Sequence, residues 1–147
     1  MVDAPLRSRR HGRLVIQAGA RIHSAAMGTF KRIAPIFPVR DVGLSLEHYG
    51  RLGFATRESD RGGYGFATRD AIEIHLGVVP DDSRATHSSA YLWVEDADEL
   101  AQTWSSAGAD VRFPEDTEWG QHEGVLIDPD GNIIRFGSPV KDPSTGQ

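Results

Sequence analysis

Two short segments place groups capable of chemistry beside large aromatic rings. Glu73 and His75 alternate with apolar residues in one segment, and Tyr91 and Trp93 do so in another. Because side chains of a strand point alternately to its two faces, each pair is expected on a single face of its strand. The first pair could supply metal ligands, whereas the two aromatic rings could stack on a flat ligand.

The same alternation, applied to all the strand candidates, predicts one inner face with the character of a pocket. That face collects Ile36, Glu73, His75, Tyr91, Trp93, Ile133 and Arg135. Aromatic rings beside a carboxylate, an imidazole and a guanidinium favour a binding site. The alternative is structural: Tyr91 and Trp93 would be core aromatics, and Glu73 and Arg135 a partly buried ion pair.

A repeat with a period of 55 residues explains how these strands are brought together. Val39-Arg40-Asp41, Tyr49 and Gly53 recur as Val94-Glu95-Asp96, Trp104 and Gly108. Each copy is typical of a strand end, a helix begun by Asp, an aromatic on the buried helix face and a terminating Gly. We expect an α+β fold in which two tandem βαβββ modules form a curved mixed sheet around a cleft, with the helices on the convex side.

The modules are expected at about 33–79 and 88–137. The predicted strands are 33–39, 54–58, 64–68, 71–78, 88–94, 109–113, 123–127 and 132–137, and the second helix is 96–107. His122 and Glu123 are interpreted as the exposed start of a strand. Asp128-Pro129-Asp130-Gly131 has the residues of a tight turn, which explains its carboxylates without a metal.

Composition narrows the classes of function. The chain has 147 residues, a net charge of −5 and no cysteine, which excludes disulfides and thiolate metal sites. No apolar run approaches the roughly 20 residues of a membrane helix, so we expect a cytoplasmic protein without a membrane partner. Residues 1–26 carry +4, which leaves −9 for the rest. An acidic body disfavours nucleic acid.

Three regions are expected along the chain. Residues 1–29 are interpreted as a flexible basic extension, 30–138 as the folded domain and 139–147 as a flexible tail. A targeting peptide at the N-terminus is the alternative for the first region.

Several short motifs resemble the vicinal oxygen chelate superfamily, which includes glyoxalase I, extradiol dioxygenases and bleomycin-resistance proteins. They are Val39-Arg40-Asp41 with Tyr49, Arg51-Leu52-Gly53-Phe54, Glu118-Trp119-Gly120 and Asp128-Pro129-Asp130-Gly131-Asn132. The second and third look most like the bleomycin-resistance branch.

The resemblance implies where a metal would be bound in an enzyme of this superfamily. The positions of its His and Glu ligands fall on Ala34, Ser89 and Arg135, and only His75, or its neighbour Glu73, offers a donor. One ligand with a nearby cation does not make a divalent metal site. A shifted site of His75, Glu73 and His87, suited to ferrous iron, is the alternative.

We therefore expect a metal-free, non-catalytic protein that sequesters a planar or cationic, bleomycin-like molecule. Its expected ligand-binding residues are Ile36, Glu73, His75, Ser89, Tyr91, Trp93, Trp119 and Arg135. The resemblance implies a homodimer. Two alternatives remain: a glyoxalase-like lyase or extradiol dioxygenase that uses Fe, Mn, Ni or Zn, and a non-catalytic interaction or regulatory module.

Overall fold

The computed structural model describes residues 28–80 and 87–145. Every element below lies within one compact unit, residues 33–147. Its elements are β1 (Ile36–Val39), α1 (Val42–Arg51), β2 (Ala55–Glu58), β3 (Tyr64–Arg69), β4 (Ile72–Val78), β5 (Ser89–Trp93), α2 (Ala97–Ser106), β6 (Asp110–Asp116), β7 (Gln121–Ile127), β8 (Ile133–Pro139) and a 3₁₀ turn (Pro143–Thr145).

The two helices reproduce the 55-residue repeat. The first and last residues of α1 and α2 are each displaced by that interval. Asp41 accepts a hydrogen bond from the backbone of Leu44, and Asp96 accepts one from that of Glu99, so each Asp caps the free N–H groups of its helix. Gly53 follows α1 with a φ of 90°, a value that favours glycine.

The eight strands form two four-stranded sheets, one per module. Their orders are β1-β4-β3-β2 and β5-β8-β7-β6, with a parallel outer pair and antiparallel neighbours in each. The α+β class and the two βαβββ modules are confirmed. Ladder hydrogen bonds join strands only within a module in the described part of the chain, and the single curved sheet around a cleft stays a prediction.

Both modules contribute to one hydrophobic core. The aromatic residues at the repeat positions, Tyr49 and Trp104, are fully buried there. Each donates a hydrogen bond to the other module: the Tyr49 hydroxyl to Asp128 Oδ2 at 3.0 Å, and the Trp104 indole to the carbonyl of Leu52 at 3.1 Å. The two modules therefore share a single interior.

The turn before β8 also connects the modules. Asp128 Oδ1 accepts the backbone N–H groups of Asp130 and Asn132, which is the hydrogen bonding expected of a turn. The Asn132 side chain then donates to the carbonyl of Pro38, in the other module. Arg40 pairs with Asp130 at 2.9 Å across the same boundary. The turn interpretation is confirmed, and the turn in addition holds β1 against the second module.

Some expected features lie beyond these observations. Residues 1–27 fall outside the described part of the chain, so the flexible basic extension stays a prediction. The C-terminal region after β8 contains the 3₁₀ turn, and its flexibility also stays a prediction. None of the helices described is long and apolar enough to cross a membrane.

Candidate functional site

In the first module, alternation along β4 places the chemical groups away from the helix. Ile74 and Leu76 are buried in the core. On the neighbouring strand, a side chain at Gly65 would press against Val42 and Leu46 of α1, so α1 lies on that face of the sheet. Glu73 and His75 alternate with the buried residues and lie on the opposite face, as predicted.

These residues form the first cluster, here named the histidine face: Arg57, Tyr64, Phe66, Glu73 and His75. The Tyr64 hydroxyl lies 2.9 Å from His75 Nδ1, and His75 Nε2 lies 2.7 Å from Glu73 Oε1. Because a carboxylate only accepts, Nε2 carries the proton that reaches Glu73, and Nδ1 accepts from Tyr64. Both ring nitrogens of His75 are thus engaged.

Aromatic contacts extend the histidine face across β3. The Phe66 ring lies edge-on to His75, with ring centres 4.9 Å apart. The Arg57 guanidinium lies 4.1 Å above the centre of Phe66, in cation–π geometry. Sequence reasoning did not include Arg57, Tyr64 or Phe66, although the pairing of β3 with β4 puts the last two on the same face as His75.

The second module carries an aromatic face made of Tyr91, Trp93, Trp119 and Glu123. The rings of Tyr91 and Trp93 are 4.7 Å apart. Glu123 Oε1 accepts hydrogen bonds from the Tyr91 hydroxyl at 2.7 Å and from the Trp119 indole at 3.0 Å. Desolvation, together with the hydrogen bond to Glu123 and its charge, raises the pKa of Tyr91 to about 12. One carboxylate thus holds two of the three aromatics in place.

The structural alternative for these aromatics is wrong. Trp93 is 75% exposed, and Tyr91 is partly buried but lies outside the hydrophobic core. Arg135 is exposed and makes no ion pair with Glu73 or with any other residue in the described ranges. The Glu73–Arg135 pair of the structural alternative is therefore absent among the described contacts, and Glu73 contacts His75.

The interpretation of His122 and Glu123 as an exposed strand start also needs correction. Strand β7 begins at Gln121, and both residues are only partly exposed within it. They point in different directions, as alternation requires: Glu123 joins the aromatic face, whereas His122 contacts Asp98 on α2 and Asp116 on β6. The pairing of β7 with β8 places Glu123 opposite Gly137, and this register determines that Glu123 joins the aromatic face. The register depends on contacts between strands, so the sequence of β7 alone does not give it.

The structure places the remaining predicted residues at corresponding positions in the two sheets. Ile36 pairs with His75 in the first sheet, and Tyr91 pairs with Arg135 in the second. Ser89 is exposed at the start of β5. No hydrogen bond, ion pair or ring contact joins the histidine face to the aromatic face within the described residues. The two clusters lie on different sheets, and the common inner face stays a prediction.

A family model described as the Glyoxalase/Bleomycin resistance protein/Dioxygenase superfamily matches residues 29–136. The chain belongs to this superfamily. The fold, the repeat and the short motifs all agree with that membership.

Relatives within the superfamily include a bleomycin resistance protein of Klebsiella pneumoniae, 29% identical over 111 residues, which cover 69% of this chain and 87% of that protein. Among solved structures, a bleomycin resistance determinant encoded on the transposon Tn5 is 25% identical, with a TM-score of 0.68, covering 76% of this chain and all of that one. A bleomycin-binding protein complexed with bleomycin is 26% identical, with a TM-score of 0.66, covering 74% and 98% of the two chains.

The superfamily includes dioxygenases by name, and a metal ion in such an enzyme needs a set of several His, Asp or Glu donors. The described residues contain no group of three His, Asp or Glu side chains arranged to hold one. His75 and Glu73 are together, but exposed His87 does not complete a cluster with them. Arg135, which occupies one of the family's ligand positions, is a cation and pairs with Tyr91 along the sheet. The donor set of the described residues does not fit a resident metal.

Proposed function

We propose that this protein binds a planar or cationic small molecule of the bleomycin type without a metal and sequesters it without transforming it. The observation that supports this proposal most strongly is the aromatic face. Exposed Trp93 contacts the ring of Tyr91 at a tilted angle, and Trp119 is fixed by a hydrogen bond to Glu123. Two large, solvent-exposed indoles, one of them held by a hydrogen bond, are unusual unless a partner covers them.

The energetics of such a face favour a flat, aromatic ligand. Each aromatic pair contributes about 0.5–1.5 kcal/mol beyond the area it buries. The hydrogen bonds to Glu123 fix Tyr91 and Trp119 before the ligand arrives, so less side-chain entropy is lost on binding. The charge of Glu123 next to the rings favours a ligand that also carries a positive group.

The same face supports a homodimer as part of the proposal. A flat sheet surface buries only one side of a planar ligand, whereas small-molecule sites enclose most of the ligand surface. Ile36 on the first sheet and Phe113 on the second are also more than half exposed. A second copy of the chain, with its sheet face over these residues, would supply the missing wall.

Engagement of His75 supports a non-catalytic role. Both ring nitrogens have partners within the histidine face, so a metal would have to displace Tyr64 from Nδ1 or break the Nε2 contact with Glu73. We infer that the Tyr64–His75–Glu73 chain of hydrogen bonds orders the first sheet face.

Titration with bleomycin, followed by tryptophan fluorescence, tests the proposal. Trp93 and Trp119 are exposed, whereas Trp104 is 1% exposed and gives a constant background. We expect saturable quenching by bleomycin, a much weaker effect in Trp93→Ala, and an unchanged response in Leu44→Ala, which removes an exposed apolar side chain from α1. No quenching at high micromolar bleomycin would contradict the proposal.

Two further measurements separate sequestration from catalysis. Mass spectrometry of the released ligand should recover bleomycin unchanged after prolonged incubation. Elemental analysis of the purified protein should find no stoichiometric Fe, Mn, Ni or Zn, and chelator treatment should leave the quenching intact. A stoichiometric metal that is lost in His75→Ala would instead support the metal-dependent enzyme.

A further inference from the structure

A groove of about 690 Å³ lies between the two modules. Trp93 is the one residue of its lining that also belongs to the aromatic face, and its lining includes no residue of the histidine face. Residues 69–72, at the turn between β3 and β4, form one wall, and the end of β5 with the first turns of α2 forms the other. This volume falls within the range of small-molecule pockets.

The groove is connected to the aromatic face through one side chain. Trp93 lines the groove and also contacts the ring of Tyr91. Ile72, Leu92 and Leu100 add apolar surface to its walls, and Ile72 is 40% exposed. Trp93 therefore belongs both to the aromatic face and to the groove, where apolar side chains lie beside it.

Charge in the groove is mainly negative. Asp70 from the first module and Glu95 from the second line it, and neither makes an ion pair with any residue of 28–80 or 87–145. Glu99 also lines the groove and interacts electrostatically with Lys141. Asp96, also in the lining, is already paired with Lys141 at 3.1 Å. The one cation in the lining, Arg69, donates to the carbonyl of Leu52.

We propose that this inter-module groove binds the cationic arm of a ligand whose flat ring lies on Trp93. The proposal rests on the proposed function and adds to it a ligand class: a planar ring, a short apolar linker and an ammonium or guanidinium group. Unpaired carboxylates on both walls stabilise the cation, and the apolar walls bury the linker.

A pair of anthracene probes tests the groove separately from the face. One probe carries a linear diamine tail, and the other carries an uncharged ether tail of the same length. Asp70→Asn/Glu95→Gln should weaken the diamine probe by about tenfold at low salt and leave the ether probe unchanged. Trp93→Ala should weaken both probes.

The matched control is Glu47→Gln/Glu58→Gln, which removes the same charge from exposed positions outside the groove. Measured at the same salt concentration, it should leave both probes unchanged within about twofold, because exposed charges outside the groove interact only weakly with the bound cation. Both exchanged groove residues are exposed, and Asn tolerates the positive φ of 50° at position 70, so folding is expected to be preserved; circular dichroism checks this.

Each result has a distinct meaning. Equal binding of the diamine probe to the wild type and to Asp70→Asn/Glu95→Gln overturns the groove and leaves the aromatic face standing. An equal loss of diamine-probe binding in Glu47→Gln/Glu58→Gln also overturns the groove, because the loss would then follow from net charge alone. Failure of both probes to bind the wild-type protein overturns the groove together with the proposed function.

Discussion

Replacing Asn132 with alanine tests whether one buried amide holds the two modules together. Its side chain is fully buried and makes three hydrogen bonds: it accepts from the Ser88 amide at 2.9 Å and donates to the Pro38 carbonyl at 2.9 Å and to Asp128 Oδ2 at 3.0 Å. A buried hydrogen bond contributes about 1 kcal/mol, and a partner left unsatisfied costs about 1–3 kcal/mol. We expect the free energy of unfolding to fall by about 3–5 kcal/mol.

Urea denaturation followed by circular dichroism measures this loss. The loss is a large fraction of the roughly 5–15 kcal/mol that stabilises a domain of this size, so the midpoint should shift clearly while the slope stays constant.

The matched control is Gln102→Ala, which removes an exposed amide whose contact is with Ser106 on the same helix. It should change the free energy by less than about 0.5 kcal/mol. A loss below about 1 kcal/mol in Asn132→Ala would refute the role assigned to this amide.

Four further outcomes are expected. Alkaline titration of tyrosinate absorbance should show the Tyr91 phenol with a pKa of about 12, and Glu123→Gln should lower that pKa by removing the charge and weakening the hydrogen bond beside it. Folding stability from the neutral Tyr91 phenol is present below its unfolded pKa of about 10 and is lost as pH rises through the higher folded value. Gly137→Ala should displace the Tyr91 hydroxyl, which occupies the space of the added methyl group, and should weaken bleomycin quenching. Hydrogen bonds to Asp98 and Asp116 raise the pKa of His122, so NMR titration should show this pKa returning toward its ordinary value in Asp98→Asn.

The sign of the His122 effect follows from linkage. Because the folded pKa is raised, the stabilisation by protonated His122 is fully present below the unfolded value of about 6.5 and is lost as pH rises through the folded value. Both carboxylates are mostly exposed, so the gain should stay below about 1 kcal/mol and shrink in high salt. A salt-independent effect, or a His122 pKa that is unchanged in Asp98→Asn, would contradict the assignment.

The local part of the fold could be predicted from the sequence because it depends on local chemistry. The capping carboxylates Asp41 and Asp96, with Gly53 and Gly108 after the helices, fix both helix ends without reference to the rest of the chain. Alternation placed Glu73 and His75 on one face, and it placed Tyr91 and Trp93 on another, as the structure confirms.

The pairing between strands could not be predicted in the same way. Strand β6 runs to Asp116 because a register shift between Arg112 and Glu115 extends its pairing with β7. That shift depends on contacts with a neighbouring strand, which periodicity does not encode. The sequence did not predict that Glu123 belongs to the aromatic face, for the same reason: its partners Tyr91 and Trp119 lie outside its own strand.

The reciprocal bonds of Tyr49 and Trp104 bear on how such a chain could arise. Each repeat aromatic reaches into the opposite half, one to Asp128 and the other to Leu52. An ancestor of half this length would have exposed the apolar surface that the two modules now bury together. Two identical copies could have buried it by pairing around a twofold axis, with the aromatic of each copy bonded to the other. Gene fusion would then have made the pairing permanent, after which the two aromatic positions were free to diverge. Separately expressed halves of the present chain should accordingly recombine into a single folded complex.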